Sequence, residues 1–236
     1  MEAIYHRFAR IDLRFYDDPG RAPVAAVERY ALPPDLDWAG WASREDGTWH
    51  AWYPPEGSLP EQGWKIHASA RLEVANDVLE QVARYCHAER IAFKHLVHRG
   101  VHFAMNSKDA DRSASGKFIT VYPRDVTELR RTLAELDAAI GGMPGPYVLS
   151  DLRWRHGPLS VRYGAFVHQV ITSEHGFEVT ALRDPDGLLV EDVRSPGFTP
   201  PAWVELPDFL QEQFDALGGD APPAGFPRVL GALHHS

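Results

Sequence analysis

Short stretches of this chain alternate apolar and polar residues with a period of two. Residues 63–69 read GWKIHAS, with Trp64 and Ile66 on one side and Lys65 and His67 on the other, as in a strand. The period then lengthens: Leu72, Ala75, Val78, Leu79, Val82 and Cys86 recur at helical spacing and predict an amphipathic helix over about 72–88. IAFKHLV (91–97) predicts a second strand, and KFITVYP (117–123) a third, ended by Pro123. Between them, residues 106–116 form a polar loop rich in Ser, Asp and Gly. Asp125 with Glu128 predicts a capping box opening a second helix, whose stripe is Val126, Leu129, Leu133, Leu136 and Ile140. Gly141 and Gly142 stop it.

Residues 147–195 alternate short strands with turns, one of them Pro-Asp-Gly, and predict an antiparallel meander. A short helix over about 206–216 follows. The fold class expected is α+β, a mostly antiparallel sheet with a few packed helices. Residues 1–60, rich in aromatics and proline, predict an irregular segment packed on a core at 61–217, with a short strand at 48–53. GGDAPPAG (218–225) reads as a linker, and FPRVLGALHHS (226–236) opens a new apolar run after it.

Composition narrows the class. With 44% hydrophobic and 24% charged residues among 236, the chain can bury a sizeable core. A lone Cys86 excludes a disulfide framework and suits a reducing, cytoplasmic compartment. Nothing at the N-terminus resembles a signal peptide, and no apolar run approaches a membrane span. The net charge of −9 disfavours general nucleic-acid binding. The bases are unevenly chosen: twenty are Arg and four are Lys, and all four lysines fall between residues 65 and 117. Lys can lose its proton when buried, whereas Arg cannot.

Those lysines mark the candidate chemistry. Lys65 and His67 share one strand face, and Lys94 lies on the next predicted strand. No Asp or Glu accompanies them in sequence. Lys108, Arg112 and Lys117 occupy the loop, and Arg153, Arg155 and Arg162 the meander. Residues 62–122 carry nine Lys or Arg against six Asp or Glu. A cationic pocket in an acidic chain suits a small anion such as phosphate. No glycine-rich nucleotide loop is present. Asp109, Asp111, Asp125 and Asp151 read as loop, cap and turn residues rather than metal ligands. His95, His98, His102, His168 and His175 follow no zinc spacing, so no metal site is expected.

GWKIHAS, IAFKHL, NSKDADRSASGKFITVYP and GPYVLSDLRWRHGPLSVRYGAF together resemble the N-terminal lyase domain of class III lanthipeptide synthetases. That domain is in turn similar to the bacterial effector phosphothreonine lyases. The resemblance covers about residues 1–215, and the final apolar run resembles the start of the kinase domain in those synthetases. It implies a phosphothreonine-lyase-like fold that eliminates phosphate from phosphorylated Ser or Thr of a precursor peptide. Lys94 matches the family's base and His67 its acid. Lys65, Arg112 and Tyr122 match phosphate-binding positions, and Arg153 and Arg162 match later phosphate ligands, with Arg155 as the alternative to Arg153. Lys108 and Lys117 match the synthetase motif alone and complete the phosphate-binding set it implies. The implied partners are the phosphorylated peptide and covalently linked kinase and cyclase domains. The lyase step needs no cofactor, ATP and Mg belonging to the kinase. Two other readings stay open: a phosphopeptide or precursor-recognition module without catalysis, and a small-molecule phosphate enzyme of unrelated fold.

Overall fold

The computed structural model describes residues 29–55, 59–106, 115–173, 176–193 and 197–217. Its first half runs β1 (Ala42–Glu45), β2 (Trp49–Tyr53), β3 (Gln62–Ala68), α1 (Ala75–Glu89), β4 (Ala92–Leu96), α2 (Arg99–Met105) and β5 (Ile119–Tyr122). Then follow α3 (Val126–Ile140), β6 (Leu152–Arg153), β7 (Leu159–Ala165), β8 (Val170–Thr172), β9 (Glu178–Arg183), β10 (Leu189–Glu191) and α4 (Asp208–Ala216). One sheet holds seven strands in the order β1-β2-β4-β5-β3-β7-β6, and a second holds β10-β9-β8. Every strand pairing among the described residues is antiparallel, so the α+β expectation holds.

The large sheet is apolar on one face. Phe93, Val121, Ile66, Val161 and Leu152 are neighbours in one row across it. All are buried in the core, where α1 and α3 pack on them through Val78, Leu79, Val82, Leu129, Leu133 and Leu136. These are the helical stripes read from the sequence. At the start of α3 the Glu128 N–H donates to the Asp125 carboxylate at 2.8 Å. The Glu128 side chain accepts from the Arg124 N–H at 2.7 Å, one residue earlier than a standard capping box requires.

Three features depart from the expectation. The strand expected at 48–53 is β2, but residues 42–53 are not an irregular attachment: β1 and β2 form a hairpin whose second strand pairs with β4 inside the main sheet. The predicted meander divides, β6 and β7 completing the large sheet while β8–β10 form the small one. Helix α2 was not expected; His98 caps it by accepting from the Val101 N–H. Residues 1–28, the linker at 218–225, the run at 226–236 and the loop residues Lys108 and Arg112 lie outside the described residues, as does His175. No helix among the described residues is long and apolar enough to cross a membrane.

Candidate functional site

Antiparallel registry decides which side chains meet, because directly opposed residues share a sheet face. One row runs Ala51–Lys94–Thr120–His67–Ser160–Arg153 across six strands. It lies one residue along from the apolar row and therefore on the other face. Lys94 and His67 stand two strands apart, about 10 Å between backbones at ~4.8 Å per strand. Lys65 and Arg162 are directly opposed in the next row on that face, which also carries Tyr122. The registry thus gathers Lys65, His67, Lys94, Tyr122, Arg153 and Arg162 on one face.

His67 is buried and paired. Its Nδ1 bonds the Asp151 Oδ2. Ser160 Oγ donates to the same oxygen at 3.2 Å, Ser150 Oγ donates to Oδ1 at 2.8 Å, and Lys117 Nζ lies 3.7 Å from Oδ1. The sequence offered no acidic partner for the basic cluster; Asp151, read there as a turn residue, is that partner. Burial works against its charge, yet His67 and Lys117 hold its carboxyl below the usual carboxylate range. An ionised carboxylate only accepts, so the His67 proton sits on Nδ1 and leaves Nε2 bare. Burial brings the His67 pKa down to about 3 against the pull of Asp151, with Lys117 and Lys65 adding to the fall. Lys117, expected to bind phosphate, is buried beside this carboxylate.

The cationic pair sits beside it. Like charges directly across a sheet repel. Asp192, just after β10, offsets this by taking both ends of the Arg162 guanidinium, at 2.6 and 3.2 Å. A Cβ on Gly164 would stand 3.2 Å from Lys65 Nζ and 3.4 Å from Arg162 Nη1. The missing side chain there is the space into which both cations reach. Lys65 Nζ also lies 6.0 Å from the Tyr122 ring centroid. Burial pushes the Tyr122 hydroxyl well up, so it stays a neutral donor.

Two arginines separate cleanly. Arg153 ties its own hairpin, donating to the carbonyls of Gly157 at 3.1 Å and His156 at 2.5 Å, over the Tyr147 ring. Arg155 turns away to Asp137 at 2.7 Å. Lys94 Nζ lies 4.3 Å from the centroid of Trp49. The roles of Asp151, Ser160, Asp192, Gly164 and Trp49 escaped sequence reasoning; for Asp151, Ser160 and Gly164 the one signal was that SDLRW and LSVRYG carry polar residues within strand-like runs. No group of three or more His, Cys, Asp or Glu among the described residues could hold a metal ion. A surface groove of about 970 Å³, lined by Arg130, Glu205 and Phe209, belongs to the helix-covered side and holds none of these residues.

Comparison with known proteins adds a lineage to this geometry. The family model described as "RamC, N-terminal domain" matches residues 29–219. The "Probable SapB synthase" of Streptomyces coelicolor is 42% identical over 236 residues, covering 98% of this chain and 25% of that protein. The chain therefore spans about a quarter of that relative's length. Similar solved structures include the type III effector and phosphothreonine lyase OspF from Shigella flexneri, at 14% identity, 70% and 92% coverage of this chain and of that one, and a TM-score of 0.44. The Salmonella plasmid virulence C protein matches at 14% identity, 67% and 86% coverage and a TM-score of 0.42.

Proposed function

This chain belongs to the family of RamC N-terminal domains, as the motif resemblance implied, and we propose that it is a phosphoserine/phosphothreonine lyase acting on a phosphorylated precursor peptide. The observation that carries the reading is the single cross-strand row that sets the Lys94 amine and the His67 imidazole on one face, beside the Lys65–Arg162 cation pair.

In this reading the neutral Lys94 amine takes the α-proton of the phosphorylated residue. The released electron pair forms the Cα–Cβ double bond while the Cβ–O bond breaks. Phosphate leaves with a proton from His67 Nε2. The amine gains one positive charge, the imidazolium loses one, and hydrogen phosphate departs as a dianion, so atoms and charge balance without a metal or redox group. Lys65, Arg162 and the Tyr122 hydroxyl bind the phosphoryl oxygens. Arg112 and Lys108, outside the described residues, are assigned the same task from the motif match. Lys117 is assigned a supporting place behind Asp151 and Arg153 the shaping of the neighbouring hairpin.

His67 needs a proton it lacks in the resting domain, where burial keeps Nε2 bare. A phosphoryl group with a second pKa of about 6 supplies the remedy. Its negative charge offsets Lys65 and Lys117, so binding and protonation of the imidazole proceed together. The linked kinase and cyclase domains, and a cytoplasmic setting, belong to the same proposal.

The test is to incubate the domain with a phosphorylated precursor peptide and follow its mass. Loss of one phosphoric acid per site is expected. Lys94→Arg should still bind the phosphopeptide while elimination falls by at least ~10²-fold, since the guanidinium cannot act as base. Binding with unchanged peptide mass in both proteins would instead favour the recognition module.

A further inference from the structure

Trp49 lies on β2, and its place follows from the strand registry. Ala51 is directly opposite Lys94, and Trp49 is two residues along on the same face. Ala51 is too small to hold the lysine upright, so the four-carbon stem leans diagonally and brings Nζ over the indole, 4.3 Å from its centroid. That is well within the ~6 Å reach of a cation–π contact, and Trp is the strongest partner of its kind.

We propose that Trp49 is a positioning residue for Lys94, holding the amine against its ring and stabilising the ammonium that forms when the α-proton is taken. The inference rests on the lyase reading of Lys94 but is tested apart from it.

The argument turns on a difference between two states. The ring's negative face attracts –NH₃⁺ and has little hold on –NH₂. During proton abstraction the amine passes from the second state to the first, so the attraction grows along the reaction and favours the transition state. The same attraction also favours the ammonium in the resting domain and makes the neutral amine scarcer at any given pH. Replacing the ring should therefore do two opposite things: ease deprotonation of Lys94 and slow the step it performs. The other groups on its face are Arg44 from β1, Tyr53 from β2, Thr120 and Tyr122 from β5, His67 and Lys65 from β3, and Arg162 and Arg153 farther across, with Asp151 behind His67 and Asp46 in the β1–β2 turn. Tyr122 and His67 are neutral, so the like charges on this face are Lys65, Arg44, Arg162 and Arg153, and the Trp49 ring, in contact with Nζ, is a counterweight together with the Asp46 carboxylate.

The titration of Lys94 can be read directly by competitive acetylation with acetic anhydride across pH, followed by peptide mass spectrometry, with Lys65 as internal control. In Trp49→Leu the Lys94 midpoint should move down by roughly half to one pH unit, about a 3- to 10-fold change in proton affinity, while the Lys65 midpoint stays. Trp49→Phe should keep most of the parent value. Trp49→Met, with similar bulk and no ring face, decides the matter if the Leu variant does not fold. In the second arm a phosphoserine peptide is turned over at a pH above the midpoint, where kcat should fall by about 2- to 30-fold in Leu or Met and less in Phe. A Lys94 midpoint that stays or rises in the ring-free variants would overturn the proposal, whatever the elimination assay gives. A parent protein that eliminates nothing while the midpoint still shifts would instead count against the lyase reading alone.

Discussion

Two adjacent rows of the large sheet differ by one residue along each strand and share almost nothing else. Phe93, Val121, Ile66 and Val161 are completely buried against helices α1 and α3. Lys94, Thr120, His67 and Ser160, their immediate chain neighbours, form the polar row in which Lys94 and His67 carry the proposed chemistry. The strand pleat alone makes the separation. A one-residue slip of β3 would place His67 among the helices and Ile66 beside Asp151, so the hydrophobic demand of one face fixes the geometry of the other. The polar row is divided in its turn: Lys94 rests on an aromatic ring, whereas His67 rests on a carboxylate held by two hydroxyls and a lysine.

The largest expected effect breaks both faces together. His67 on the polar face has its pKa lowered to about 3 by burial; burial also brings His95, on the helix side, and His102 down to about 4. Each is neutral in the folded state and protonates near 6.5 once unfolded. Stability is therefore full above pH 6.5 and falls as the pH drops toward 4, because the unfolded chain then binds more protons. Each histidine adds up to about 1.4 kcal/mol per pH unit over that window. Urea unfolding at pH 7.5, 6, 5 and 4.5 checks this, and a flat profile would contradict it. His95→Gln should remove only the helix-side share.

Next in size is a contrast between neighbours. Phe93→Ala opens a cavity under both helices and should cost about 3–5 kcal/mol. Lys94→Met, one residue on, should stay within ~1 kcal/mol of the parent while abolishing elimination. Equal losses of stability from the two would erase the distinction between the rows.

Asp151→Asn sharpens the division inside the polar row. It leaves an acceptor for His67 but strips the charge facing buried Lys117, at about 1–3 kcal/mol. Elimination should fall by ~10²-fold with phosphopeptide affinity largely kept, because an amide can donate to Nδ1 as well as accept from it and so no longer fixes the imidazole tautomer. An unchanged kcat would remove Asp151 from the positioning role.

The sequence carried the alternation of β3 and β4 plainly, since Trp64-Lys65-Ile66-His67 and Phe93-Lys94 each sort by parity. It carried α1 and α3 equally well, through long apolar stripes. It could not carry Asp151, which is 84 residues from His67 and joins it only when β6 and β7 fold back along β3. Of the β1–β2 hairpin the strand at 48–53 was legible, but β1 was obscured for a local reason: Ala42–Glu45 is wholly exposed, so no hydrophobic periodicity marks it. Helix α2 is seven residues with Gly100 inside, too short for a stripe and held by the His98 cap and by His102, whose Nδ1 accepts from Tyr30 at 2.7 Å. Local patterns foretold faces; only pairing over long distances along the chain foretold partners.

The smallest effect is also the most selective, since it reads only the His67 end of the row. Resting His67 has a bare Nε2, but the proposed elimination begins with that nitrogen protonated. The proton must be taken up as the phosphoryl group binds. Above its second pKa the free phosphopeptide is mostly a dianion, so the complex draws a proton from the buffer. Calorimetry on Lys94→Arg, which binds without turnover, should give at pH 7.5 a binding enthalpy that changes with the ionisation enthalpy of the buffer, with a slope of about one proton. His67→Gln in the same background should bring the slope near zero, because glutamine has nothing to protonate. A slope of zero before that substitution would mean that phosphate leaves without a proton from His67, and the Lys65–Arg162 pair would then carry the leaving group's charge unaided.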